Sequence, residues 1–64
     1  MGPISGFRVG QRYWVLWDDD LEVWTVEKCT KSTVHLKTSQ KVSFMVSWGK
    51  VTKMLSNDLM GKIK

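Results

Sequence analysis

Arg12-Tyr13-Trp14-Val15-Leu16-Trp17-Asp18-Asp19-Asp20-Leu21-Glu22-Val23-Trp24-Thr25-Val26-Glu27-Lys28-Cys29 is the stretch on which the fold turns. Its first six residues are rich in aromatic and branched types, the composition that suits a pleated strand. Alternation puts Tyr13, Val15 and Trp17 on one face and Trp14 and Leu16 on the other. Both faces are apolar, as in a small barrel where one side fills the core and the other meets a neighbour or a ligand. The acidic run Asp18 to Glu22 breaks the apolar pattern with turn-forming side chains. Val23 to Cys29 then reads as a second strand paired with the first.

Outward from this hairpin, residues 1–7 contain two glycines and a proline without periodicity and read as a flexible lead-in. Thr33 to Lys37 reads as a third strand between the polar turns Thr30-Lys31-Ser32 and Thr38-Ser39-Gln40. Lys41 to Ser47 alternates Val42, Phe44 and Val46 against Ser43, Met45 and Ser47, a fourth strand. Trp48-Gly49-Lys50 reads as a helical turn or corner, and Val51 to Leu55 as a fifth strand. Residues 56–64 read as a flexible or short helical tail. Five short strands with closely spaced turns predict an all-β fold, a small five-stranded SH3-like barrel over residues 8–55.

A chain of 64 residues forms one domain at most. Cys29 and His35 are its only cysteine and histidine, which excludes an internal disulfide and a zinc site built from those residue types. Four Trp, two Phe and one Tyr must therefore supply the core, with Trp14 and Trp48 the expected filling. The lone thiol fits a reducing, intracellular setting. No leader pattern and no membrane-length apolar run is visible.

Net charge is +4, unevenly spread: residues 1–27 carry −3, and residues 28–64 carry eight lysines against Asp58 alone. A basic half attracts phosphate or acidic surfaces. Catalysis finds little support. The adjacent carboxylates of Asp18, Asp19 and Asp20 point in different directions. A Cys29–His35 nucleophile–base pair lacks a third group or an oxyanion loop. Gly10, Gly49 and Gly61 stand alone, so no phosphate-cradling loop is present. A non-enzymatic binding module without cofactor or metal is expected.

Val9-Gly10-Gln11, Leu16-Trp17, Asp20-Leu21 and Val23-Trp24 together resemble the opening of Tudor domains. Phe44-Met45-Val46-Ser47-Trp48-Gly49-Lys50-Val51 is similar to the strand-and-corner segment of the Tudor domains in polycomb-like chromatin proteins. The resemblance covers about residues 7–55. It implies a Tudor-like barrel in which Trp17, Trp24 and Phe44 form an aromatic cage for methylated lysine or arginine in a peptide such as a histone tail. Asp19, Asp20 and Leu36 would stand at the rim. Family members carry a fourth aromatic near the end of the third strand, where this chain has Leu36. A nuclear location follows from that resemblance.

Two other binding classes compete. The rhythm is also similar to the C-terminal DNA-binding domains of retroviral integrases, with Trp24 opening a strand and Val51-Thr52-Lys53 closing one. On that reading Lys28, Lys31, Lys37, Lys41, Lys50 and Lys53 contact the phosphates of DNA or RNA. Trp14, Leu16, Met45 and Met54 would instead form a patch for a protein partner.

Overall fold

A computed structural model of the chain describes residues 2–63. Five strands and one helix follow in the order β1 (Arg12–Trp17), β2 (Asp20–Cys29), β3 (Thr33–Thr38), β4 (Ser43–Ser47), α1 (Trp48–Ser56) and β5 (Met60–Lys62). The strands make one antiparallel sheet in the spatial order β4-β3-β2-β1-β5. The expected all-β fold with five strands is present. The sheet is open: β4 and β5 are its edges, and α1 links them and packs against both.

The β1–β2 hairpin closes in two residues. Trp17 pairs with Asp20, and Asp18 and Asp19 both take left-handed backbone, φ 53° and 64°. Two successive positive φ angles define a type I′ turn, whose twist matches that of the flanking strands. β2 therefore begins at Asp20, ahead of the expected Val23. Tyr13 faces Trp24 and Val15 faces Glu22 across this pair, which puts Tyr13, Val15, Trp17, Asp20, Glu22, Trp24 and Val26 on one face. Val34 and Leu36 of β3 continue the same face. Phe44 and Val46 of β4, opposite Leu36 and Val34, complete it. A register shift between Val26 and Lys28 bends β2.

Three expectations for the second half are corrected. Val51 to Leu55 is helical, not a strand. Trp48, Val51 and Met54 recur at helical spacing and all three are buried. Ser47 caps the helix by accepting the Lys50 N–H at 3.3 Å. The helix stops in a Schellman arrangement: Asp58 is left-handed at φ 56°, its N–H donates to the Leu55 carbonyl, and the Leu59 N–H donates to the Met54 carbonyl. The chain beyond is no loose tail. Met60–Lys62 pair with β1 as the true fifth strand, setting Gly61 opposite Trp14. Lys64 lies outside the described residues. The fourth strand starts at Ser43, later than the expected Lys41, because Lys41 turns the chain at φ 65°.

The lead-in is also docked rather than free, although Met1 is outside the described residues. Phe7 is buried, stacks on Tyr13 at a centroid distance of 4.2 Å and meets Trp48 edge-on at 5.4 Å. The Tyr13 hydroxyl donates to the Gly6 carbonyl at 3.0 Å, and Ile4 packs against the core. That core lies between the sheet and α1 and contains Phe7, Tyr13, Val15, Trp24, Val26, Val34, Leu36, Trp48, Val51, Met54 and Met60. Trp48 is fully buried, and its indole N–H donates to the Thr30 carbonyl at 2.8 Å. Trp14, expected beside it in the core, instead lies half-buried on the opposite face of the sheet, over Gly61. Trp24, expected at a cage, takes the inner place.

Candidate functional site

The inner face is apolar over most of its length and changes character where the β1–β2 and β3–β4 turns come together. Trp17 ends β1, Trp24 stands midway along β2, and Phe44 stands near the start of β4. Alternation and register bring all three rings to this end of the inner face. Their centroids lie 5.4 Å (Trp17–Trp24), 6.0 Å (Trp17–Phe44) and 5.3 Å (Trp24–Phe44) apart. Each pair is within the 4.5–7 Å range of favourable aromatic contact.

The three rings have different roles. Trp24 is 1% exposed, while Phe44 is 36% exposed and Trp17 is half-buried. A cleft of about 190 Å³ opens beside them, lined by Trp17, Glu22, Thr38, Gln40, Val42 and Phe44. Trp17 and Phe44 are its aromatic walls. Trp24 stands behind, and its indole N–H donates to Glu22 Oε1 at 3.1 Å. The buried ring thus fixes a carboxylate at the surface of the cleft. That hydrogen bond also satisfies the one polar atom of an otherwise buried indole.

Leu36, expected at the cage rim, is fully buried opposite Phe44. The next residue outward on the same face, Thr38, reaches the cleft in its place, in register with Trp24. Its Oγ1 accepts the N–H groups of Gln40 and Val42, both at 3.2 Å, and so shapes the β3–β4 turn. Asp20 pairs with Trp17 at the hairpin end and shares its face of the sheet, while Asp19 lies in the turn itself; both are exposed.

The lysines of the basic half lie on several sides of the molecule. Lys28 is opposite His35, and Lys37 opposite Thr25 and Ser43, on the outer face of the sheet. Lys31 and Lys41 are exposed outside the strands. Lys50 and Lys53 project from α1, which covers the inner face, and line a second hollow with Ser47 and Gly49. Lys50 Nζ lies 5.4 Å from the centre of the Trp17 ring. Of the expected partner patch, Leu16 and Met45 are exposed on the outer face and Trp14 is half-buried there, but Met54 is buried on the core-facing side of α1.

Cys29 and His35 are on opposite faces of the sheet, since Cys29 pairs with the buried Val34 and His35 with Lys28. The thiol donates to the Phe7 carbonyl at 3.1 Å and helps hold the lead-in. No cluster of three metal-ligating side chains occurs among the described residues. No described helix is long and apolar enough to cross a membrane.

Reasoning from sequence missed Glu22, Thr38, Gln40 and Val42. Glu22 was legible in principle, because it stands two residues before Trp24 and so shares its face. Thr38 follows Leu36 by the same rule.

No protein-family model, curated protein or solved structure matches this chain.

Proposed function

We propose that the protein is a non-catalytic binding module whose cleft takes a methylated lysine or arginine side chain of a peptide, such as a histone tail. One observation carries the reading: two partly exposed aromatic walls, Trp17 and Phe44, flank a carboxylate, Glu22, that a buried indole holds in position. Each ring face offered to a cation contributes about 0.5–2 kcal/mol, more as water is excluded. A carboxylate beside the rings adds attraction of the same sign. The Lys50 ammonium above Trp17 is an intramolecular instance of the same chemistry. Methyl groups suit such a site because they spread the charge and lessen the loss of hydration.

Titration with methylated and unmethylated forms of the same histone-tail peptides, followed by Trp fluorescence, tests the reading. Saturable, methyl-dependent binding that is lost in Trp17→Ala is expected. Trp17 is the preferred probe because it is half-buried, whereas Trp24→Ala would remove a core residue as well. Equal response to methylated and plain peptides would refute the proposal.

A second reading, nucleic-acid binding, is favoured by the row Arg12–Thr25–Lys37, which runs in register across β1, β2 and β3 on the outer face, with Lys28 on the same face. Duplex DNA titrated at two salt concentrations discriminates it. Each phosphate contact steepens the log–log salt slope by about 0.9. Binding that is steep in salt and unaffected by Trp17→Ala would support this reading over the first.

A further inference from the structure

The cleft differs from a box made only of aromatic rings in the share of its lining that is polar. Glu22, Thr38 and Gln40 stand with Trp17, Val42 and Phe44 around it. Glu22 spends one carboxylate oxygen, Oε1, on the Trp24 indole. It makes no ion pair among the described residues, which leaves Oε2 to serve a ligand. We infer that the site selects lysine carrying one or two methyl groups over trimethyl-lysine and over methylarginine, with Glu22 as the residue that sets the preference. The inference rests on the methyl-lysine reading above and narrows its ligand.

The chemistry is a count of N–H donors. A monomethylammonium keeps two N–H groups and a dimethylammonium one, while a trimethylammonium has none. Glu22 accepts a charge-assisted hydrogen bond from the first two and gives the third only a through-space attraction. Plain lysine has three donors but is a compact, strongly hydrated charge, which aromatic walls compensate poorly. The balance therefore falls at the intermediate states.

Ring spacing disfavours methylarginine, because it leaves no room for a sandwiched guanidinium. A planar guanidinium sandwiched between two rings needs them about 7 Å apart, twice a carbon contact distance. Among the three rings beside the cleft, the near-parallel pair, Trp24 and Phe44, is already closed at 5.3 Å and 28°. The Trp17–Phe44 pair, tilted by 41°, offers a wedge that suits a rounded alkylammonium head better than a flat group.

The test uses N-acetyl-lysine methylamide carrying zero, one, two or three methyl groups, together with dimethylarginine amide, against the whole chain and its Glu22→Gln variant. Binding is read from the indole N–H resonances in 15N spectra. The glutamine oxygen still accepts from Trp24, so the variant keeps the internal hydrogen bond and loses the charge; an unchanged melting temperature checks this. In the wild type, mono- and dimethyl-lysine should bind roughly tenfold tighter than trimethyl-lysine, the worth of one charge-assisted hydrogen bond. In Glu22→Gln the ratio should collapse to about twofold or less. Trimethyl-lysine or methylarginine binding as tightly as dimethyl-lysine in the wild type would overturn the selectivity while leaving the methyl-reading module intact. A ratio that survives Glu22→Gln would overturn the role of Glu22. If methylation brings no gain over plain lysine, the module reading falls, and the selectivity with it.

Discussion

Gly61→Ala should destabilise the protein through its clash with Trp14. Trp14 and Gly61 are register partners on β1 and β5, and the indole lies across the glycine so closely that an added Cβ would overlap Nε1, Cε2 and Cζ2. Backbone strain plays no part, because Gly61 is not among the positive-φ residues. Either the ring swings into water or the three residues of β5 draw away from β1. Overpacking of this kind costs about 1–3 kcal/mol. Total stability for 64 residues is about 3–10 kcal/mol, so the loss is a large fraction of the whole. At roughly 4–8 °C per kcal/mol for so small a domain, it reads as a clear fall in melting temperature. The decisive comparison is a double-mutant cycle with Trp14→Ala. Once the indole is gone the three closest contacts of the added methyl go with it, and replacing glycine should turn neutral or gain about 0.4–1 kcal/mol by restricting the unfolded chain. A coupling of about 1 kcal/mol or more is therefore expected from urea unfolding of the four proteins. An equal cost in both backgrounds, or no cost in the wild type, would refute the packing account of β5.

Three further outcomes follow from local geometry. Replacing Asp18-Asp19 by Asn-Gly should raise stability by about 0.5–1 kcal/mol, because both residues sit in left-handed backbone that asparagine and glycine accept more readily; a higher urea midpoint at unchanged slope checks it. Thr38→Val should cost about 1–3 kcal/mol by stripping the acceptor from the N–H groups of Gln40 and Val42, and faster hydrogen exchange at those two amides would locate the damage at the β3–β4 turn. Burial, and secondarily Cys29, raises the Tyr13 phenol above its ordinary value of 10.0. The unfolded chain then releases its proton first, so this contribution to stability is complete below about pH 10 and declines as pH climbs toward the folded-state value. Tyr13→Phe should flatten that alkaline decline, as followed by circular dichroism from pH 9 to 12, at the expense of the hydrogen bond to Gly6.

The hairpin from Arg12 to Cys29 was readable because two local signals agree there. Alternation fixes which side chains share a face, and an acidic turn separates the strands. The grouping of Trp17, Trp24 and Phe44 came instead from the resemblance, and in the structure the three rings lie together at one end of the inner face. Alternation does not tell depth, however. Trp24 is deeper and Trp14 shallower than expected, because burial depends on what covers each face and α1 covers only the inner one. The segment Val51 to Leu55 misled because valine and threonine favour strands, while the spacing of Trp48, Val51 and Met54 carries the helical signal only when Trp48 is counted with it. Met60–Lys62 is too short, and too poor in branched residues, to announce itself as a strand. It exists because β1 offers an open edge. Glu22 was hidden inside an acidic run that reads as a turn, although the turn proper needs only Asp18 and Asp19.

The pairing of β5 with β1 sets a condition on the order in which the chain can finish folding. Tyr13, Trp14 and Val15 meet their final neighbours some 45 to 50 positions later in the chain, at Lys62, Gly61 and Met60. Until Met60–Lys62 have been synthesised and have docked, one side of the first strand stays unpaired, with Trp14 uncovered and backbone groups free to join a foreign strand. Shortening the chain at the end of the helix would make that temporary exposure permanent. Such a fragment should clump even though every residue lining the cleft is still present.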